Sequence, residues 1–468
     1  MNIGRLRLGM VFGPLLLGAC AAATGTGPGT GETTRNAPFE LALPPIKTFA
    51  AGPATPTNRS NASIAIEFIE LAFQLESGRS LPVLSRFEGP ITLRLTGRPV
   101  DAVSERDLNM LIARLRDEAK IEITRVDADR DANITVQVVS RRDLQRFVPQ
   151  AACFVAPNVQ SWREFRARRR TAGSDWTELV QRKRMAIFLP GDVSAQEIRD
   201  CLHEEIAQAI GPVNDLYHLT DSIFNDDNFY TVLTGFDMMV LRAYYDDELQ
   251  SGMSAEQVRA RLPGILARIN PTGRSTATAV AASQTPRAWS DAIQSAFGAR
   301  ASSFSRLNFA KRAVGIARNQ GWYDNRLGFS LYAQGRLALA QDTELALRSF
   351  EQAQEIFAAN PDTRLHAAHV AVQAAAYALS VGRPEEAIRI VDRNSPTALA
   401  AQNAVLLSTL LMIKAQALDV AGRSAAADIV RLDSLGWARY GIGSDAKIRF
   451  RLREIAALAP ADKENSTP

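Results

Sequence analysis

Hydrophobic and polar residues alternate with two different periods along this chain, one typical of helices and one typical of strands. Residues 64–75 have apolar side chains at helical spacing, which predicts a helix. Residues 89–97 alternate apolar side chains with Thr and Arg, which predicts a half-buried strand. Three more segments have strand patterns: residues 121–126, 133–140 and 185–189.

Two longer helices are predicted, one between the first and second of these strands and one after the last. One is predicted to start at Ser104, with Asp107 three residues later, and carries an apolar stripe. The other covers residues 194–211 and ends at Gly211, a favoured helix-terminating residue, with Pro212 directly after it. The order of elements predicts an α+β domain over residues 61–262.

The C-terminal part is nearly all helical in pattern. A linker rich in Thr, Ala, Ser and Pro is predicted at residues 263–286. Beyond it, three segments superimpose at Gln341, Gly382 and Gly422, spaced by 41 and 40 residues. Each reads helix, turn, helix, which resembles tetratricopeptide-type repeats, although their period is about 34 residues. We interpret residues 287–460 as an all-α helical-repeat domain of about four hairpins, with an irregular bundle as the alternative. Residues 461–468 are predicted to be a disordered tail.

The N-terminus has the features of an export signal. Arg5 and Arg7 precede a short apolar run that is too short to span a bilayer. The sequence "LLGAC" then resembles the lipobox of bacterial lipoproteins, which implies a signal peptide at residues 1–19 and lipidation of Cys20. The alternative is an ordinary secretory signal. Residues 20–60, poor in apolar side chains, are predicted to be a flexible tether.

Composition, charge and cysteine content restrict the possible classes of partner and predict a disulfide. The 468 residues are 46% hydrophobic and 22% charged, as in ordinary soluble domains. The formal charge is +4, or +2 (4 − 2) without the two arginines of the signal, which argues against a nucleic-acid partner. After Cys20, only Cys153 and Cys201 remain. A pair in an exported protein predicts a disulfide, with two buried thiols as the alternative.

The segment "CLHEEIAQAIGPVND", residues 201–215, has the spacing of a zinc-protease helix. Such a helix places ligands four residues apart on one face, and the Glu beside the first ligand activates the metal-bound water. A register that starts at His203 fails because Ala207 stands at the second ligand position.

In the register that starts one residue later, every position of H-E-x-x-H-x-x-G-x-x-[HN]-D has a counterpart, although Glu and Gln stand where the pattern has its first two histidines. This register assigns the three ligand positions to Glu204, Gln208 and Asn214, the catalytic position to Glu205, the turn to Gly211 and the last position to Asp215. One carboxylate and two amides are a poor set of ligands for Zn²⁺, whereas oxygen ligands suit Ca²⁺ or Mg²⁺ better. The expectation is therefore no cofactor, with zinc or calcium as alternatives.

The downstream sequence extends this likeness. "SIFNDD" at residues 222–227 and "LTGFDMMVLRAYYD" at residues 233–246 resemble the corresponding segments of matrix metalloproteases. The same residues resemble more closely a bacterial lipoprotein family known as domain of unknown function 2927. This resemblance implies a zincin-like (metzincin-like) fold, offers no established activity, and makes Asn225, Asp226 and Asp237 motif residues beside Gly211 and Asp215. The alternative interpretation is structural, with "FNDDN" forming turns closed by Asx side chains.

Other histidines are weaker candidates. His203 and His218 flank the key helix and are considered as additional ligands. His366 and His369 form an H-x-x-H pair on a predicted repeat helix, and we interpret them as ordinary helix residues because no supporting ligand lies at the right spacing.

The predicted function is that of a lipoprotein on the periplasmic face of the outer membrane. It would be a pseudo-metalloprotease scaffold or adaptor, anchored through Cys20, whose repeats bind an envelope protein or peptidoglycan. The alternative is a metal-dependent hydrolase, a peptidase or cell-wall hydrolase, with Glu205 as the general base. Metal-free carboxylate chemistry, such as glycan cleavage, is a further alternative.

Overall fold

The computed structural model describes residues 43–50, 52–149, 151–274, 282–298 and 301–460. The predicted signal peptide, Cys20, the start of the tether and the tail at residues 461–468 lie outside these described residues. No helix in the described ranges is long and apolar enough to cross a membrane.

The first domain is built on a five-stranded sheet whose strand order is β2-β1-β3-β5-β4. The strands are β1 (Ile91–Gly97), β2 (Ile123–Arg125), β3 (Ile134–Val139), β4 (Phe154–Pro157) and β5 (Met185–Pro190). All neighbours are parallel except β4, which is antiparallel to β5 at one edge. Every residue of β5 is buried, as expected of a strand covered on both faces. The four predicted strands are confirmed, and β4 was not predicted.

In the described part of this domain, seven α-helices accompany the sheet: α1 (Asn61–Phe73), α2 (Ala102–Asp117), α3 (Arg141–Phe147), α4 (Trp162–Arg168), α5 (Ala195–Ile210), α6 (Gly235–Tyr244) and α7 (Ala255–Ile269). The predicted start of α2 at Ser104 is wrong, because Asp101 is the N-cap and accepts a hydrogen bond from the Ser104 amide. The predicted linker also starts too early, since α7 continues through Pro263 to Ile269.

The second part of the chain consists of nine helices within its described residues: α8 (Arg287–Phe297), α9 (Ser303–Asn319), α10 (Asn325–Ala338), α11 (Thr343–Ala358), α12 (Arg364–Ser380), α13 (Pro384–Ala400), α14 (Ala404–Val420), α15 (Ser424–Gly441) and α16 (Asp445–Ala456). Successive helices pack in pairs, and three-residue turns join α12 to α13 and α14 to α15. Gly382 and Gly422 occupy the left-handed region at these turns, with φ of +72° and +75°. The predicted helical repeats are confirmed at this level.

The predicted tether includes residues 43–60, yet its described part is packed against both domains. The Lys47 amide donates to the Gly436 carbonyl at 3.0 Å, and the Phe49 ring stacks on Trp437 at 4.7 Å between centroids. Gly235 lies so close to this segment that a Cβ there would be 2.0 Å from the Thr55 carbonyl oxygen. Backbone groups of this Pro-rich segment, together with the side chains of Ile46 and Phe49, supply contacts that the composition alone did not reveal.

Candidate functional site

Helix α5 carries the zinc-helix pattern, and local sequence determines its two ends. The Ser194 side chain accepts a hydrogen bond from the Glu197 amide and caps the first turn. Gly211 ends the helix as predicted, but its φ is negative. The reason for glycine is close packing, because a Cβ at this position would lie 2.5 Å from Cδ2 of Leu241 in α6.

Most of the positions assigned by the zinc-helix pattern are buried. The catalytic position Glu205 and the ligand positions Gln208 and Asn214 are 2%, 8% and 4% exposed, whereas the ligand position Glu204 is partly buried. The Asn214 amide donates to the backbone carbonyl of Glu70 at 3.0 Å, so this side chain ties the loop after α5 to α1.

A buried cation lies at the end of α5. The Arg182 guanidinium donates to the Gln208 carbonyl at 2.7 Å and to the Gly211 carbonyl at 2.5 Å. It satisfies carbonyls that a helix end leaves without partners, and it adds a fixed positive charge beside the positions assigned to metal ligands.

The carboxyl group of Asp237 joins the two ends of the loop that leads to α6. It accepts hydrogen bonds from the Ser222 hydroxyl, the Ile223 amide at 3.1 Å and the Thr234 amide at 2.8 Å. Burial raises the pKa of Asp237 to about 6. This motif aspartate therefore has a structural role, closing the capping box of α6.

The "FNDDN" segment forms turns closed by Asx side chains, the structural alternative considered for it. The Asn225 side chain accepts from the Asp227 amide at 3.0 Å, and the Asp227 side chain accepts from the Phe229 amide at 3.1 Å. The Tyr217 hydroxyl donates to Asp226 at 2.9 Å. Asp215 is partly buried in the same loop.

This loop, residues 214–233, reaches into the helical repeats, and we call it the junction loop. Phe229 packs at centroid distances of 4.4 Å from His366 and 4.7 Å from His369 in α12. Nε2 of His366 lies 3.1 Å from an Asp227 carboxylate oxygen. Trp289 of α8 packs against Tyr217 at 4.9 Å. The H-x-x-H pair therefore joins the two domains, a role that the sequence pattern did not predict.

Helix α5 contacts the repeats directly as well. The Gln196 side chain accepts from the Val405 amide at 3.0 Å, and the Arg199 guanidinium donates to the Gln402 carbonyl at 2.9 Å. Nearby, the Tyr440 hydroxyl donates to Asp107 of α2 at 2.7 Å. The face of α5 that bears Gln196 and Arg199 is thus part of an interface between the domains.

Two further features complete the site. Cys153, directly before β4, and Cys201 of α5 form a disulfide-capable pair, with Cα atoms 6.0 Å apart. Among the described residues, three metal-ligating side chains of the His, Cys, Asp and Glu types converge at Glu67, Glu70 and His218. Sequence reasoning considered His218 but missed both glutamates, although their spacing along an amphipathic helix places them on one face.

Residues 61–264 match the family model of a protein of unknown function, DUF2927, which supports the family expected from the sequence motifs. The match covers the α/β domain and ends within α7. Neither a curated protein nor a solved structure matches this chain.

Proposed function

We propose that this chain is a lipid-anchored protein on the periplasmic face of the outer membrane that serves as a scaffold or adaptor. Its first domain would be a zincin-like (metzincin-like) fold adapted from hydrolysis to assembly, and its second would consist of tetratricopeptide-like repeats. The partner would be an envelope protein or peptidoglycan.

The observation that carries this proposal is the use made of α5 and the junction loop. In a zinc protease these elements hold the metal and face the substrate. Here Gln196 and Arg199 of α5 contact the repeats, and Tyr217 and Phe229 of the loop are buried in the repeat core. The segment acts as the structural joint between two domains.

The competing hydrolase proposal requires Glu205 to act as a general base on a substrate or a metal-bound water. Glu205 is 2% exposed, and the adjacent Gln208 carbonyl is occupied by the Arg182 guanidinium. A scaffold places no such demand on access to Glu205, so this environment favours the scaffold proposal.

The partner surface must lie outside the face that the first domain covers. Helices α8, α10 and α12 contribute Trp289, Asn325 and His366 to that covered face. On α15, Ile429 and Leu432 are 73% and 54% exposed and lie on one face three residues apart. Exposed apolar side chains on a repeat are suited to contact with a partner protein.

Site-specific cross-linking in cells tests this proposal. A photoreactive residue at position 425, an exposed site on α15, should capture a discrete envelope partner. An Ile429→Asp/Leu432→Asp variant should lose that capture, while Glu205→Gln should retain it. Phe304→Asp is the matched control, because Phe304 is an exposed apolar residue on α9, 68% accessible.

Binding to purified peptidoglycan sacculi provides the second arm. Co-sedimentation that survives Glu205→Gln would support the scaffold with peptidoglycan as its partner. Cleavage of sacculi or of envelope peptides that disappears in Glu205→Gln, with folding preserved by circular dichroism, would overturn the scaffold proposal in favour of the hydrolase.

A further inference from the structure

We propose that Glu67, Glu70 and His218 form a binding site for a divalent transition-metal ion of the Zn²⁺ type. The site lies between α1 and the junction loop. It uses none of the residues that the zinc-helix pattern assigns, and it does not depend on the proposed scaffold function.

The geometry supports three ligands around one ion. Glu67 and Glu70 are three residues apart on α1, so their carboxylates project from the same face. One ligand atom from each of the three residues lies within 4.8 Å of the other two. Nε2 of His218 is already 2.7 Å from a Glu67 carboxylate oxygen. Since zinc bonds to N and O are about 2.0–2.2 Å long, small side-chain rotations would bring all three atoms to one ion.

Burial distinguishes this cluster from the exposed acidic groups common on protein surfaces. Glu67 is only 5% exposed, and the side chain of His218 retains 9% of its accessible surface. Glu70 is partly exposed, so one side of the cluster is open for entry of an ion. A buried carboxylate is costly unless it is paired, and a positive charge in addition to the imidazole of His218 would stabilise the two adjacent carboxylates.

The neighbouring arginine does not fully supply that positive charge. Arg59 lies near Glu67, but its Nε atom donates to the Asp221 carboxylate at 2.9 Å. A divalent cation held by two carboxylates and a neutral imidazole would balance the local charge. Carboxylate and imidazole together suit zinc, whereas Ca²⁺ takes oxygen ligands.

The site would have a structural consequence. His218 follows Tyr217, whose ring packs against Trp289 of the repeats. The Asn214 side chain already holds the same loop to the Glu70 carbonyl at 3.0 Å. A metal ion would add a second, stronger tie between α1 and the junction loop, and so would stabilise the contact between the domains.

Metal analysis of the full chain, purified in detergent without chelator, tests the proposal. After treatment with Zn²⁺ and gel filtration, elemental analysis should give one zinc per chain. Glu70→Gln, which keeps the side-chain shape, should weaken zinc binding at least tenfold in a competition titration with a chromogenic chelator. Asp117→Asn, at an exposed acid on α2, is the matched control and should bind zinc as the wild type does.

Thermal unfolding gives a second readout. Zinc at a hundredfold excess over its Kd should raise the melting temperature of the wild type but not that of Glu70→Gln. Zinc that disappears in Glu204→Ala/Gln208→Ala but persists in Glu70→Gln would overturn this site in favour of the zinc-helix positions. Absence of retained zinc, equal retention by Glu70→Gln, or retention of Ca²⁺ alone would also overturn the proposal and leave a hydrogen-bonded acid–imidazole cluster.

Discussion

Replacing Phe229 by Ala tests whether the junction loop holds the two domains together. Phe229 is 3% exposed and belongs to the α/β domain in sequence, yet its ring contacts lie in the repeats. They include Phe329 at 5.7 Å and Tyr332 at 5.8 Å, besides the two histidines of α12. The substitution therefore removes the contact that this loop makes with the core of the repeats and leaves the core around the sheet intact.

The expected cost follows from burial and cavity formation. Burial of a Phe side chain contributes about 1.5–3 kcal/mol by transfer from water. The cavity left by the missing ring and the lost aromatic pairs add to this, so Phe229→Ala should lower the free energy of unfolding by about 3–5 kcal/mol. Phe304→Ala should change it by less than about 0.5 kcal/mol, because Phe304 is 68% exposed.

Urea unfolding measures the free energy, and hydrogen exchange locates the effect. In Phe229→Ala, amides of the junction loop and of α12 should both exchange faster, because each side of the interface loses its partner. The other surface of the sheet, around α3 and α4, should be unchanged. A loss below about 1 kcal/mol, or faster exchange confined to the loop, would refute the reasoning that Phe229 joins the domains.

Three further changes have defined outcomes. Burial and the neighbouring positive charges lower the pKa of His369 to about 3, below its unfolded value of about 6.5. The contribution of His369 to the free energy of unfolding therefore falls as the pH drops below 6.5. His369→Gln should reduce the slope of the unfolding free energy against pH by about 1.4 kcal/mol per pH unit near pH 5.5. Cys153 and Cys201 are 48 residues apart in sequence, so replacing both by Ser should lower the free energy of unfolding in urea by about 4 kcal/mol. An unchanged free energy of unfolding would contradict a formed disulfide. Gly235→Ala should displace the segment around Thr55, which limited proteolysis would report as faster cleavage near that residue; an unchanged cleavage rate would contradict the close packing.

The periodicity of apolar residues predicted the elements that pack within the first domain. Strands β1, β2, β3 and β5 and the helix that ends at Gly211 were all predicted correctly. β4 was missed because its four residues follow a cysteine-containing stretch without alternation, and all four are buried. The end of α7 was missed because the linker was predicted from its Thr, Ala, Ser and Pro content, whereas the helix continues through Pro263 to Ile269.

The candidate site was harder to predict because its contacts cross between distant segments. The zinc-helix pattern located α5 and its terminal glycine but could not show that Arg182 caps the last turn. The H-x-x-H pair of α12 was visible, yet its partner Asp227 lies 139 residues earlier. The sequence of α12 has no Asp, Glu, Lys or Arg after Arg364, and this lack of a charged face could have indicated a helix that is covered on more than one side.

The junction loop also determines the order in which contacts between the domains can form as the chain emerges from its N-terminus. Asp227 precedes His366 by 139 residues, so the loop emerges well before α12. Phe329 of α10, an earlier aromatic partner in sequence, still follows Phe229 by 100 residues (329 − 229). The separation is larger for Lys47, whose ion-pair partner Asp433 follows 386 residues later. A chain that emerges in this order exposes Phe229 until α10 and then α12 are present, which gives holding chaperones a defined target.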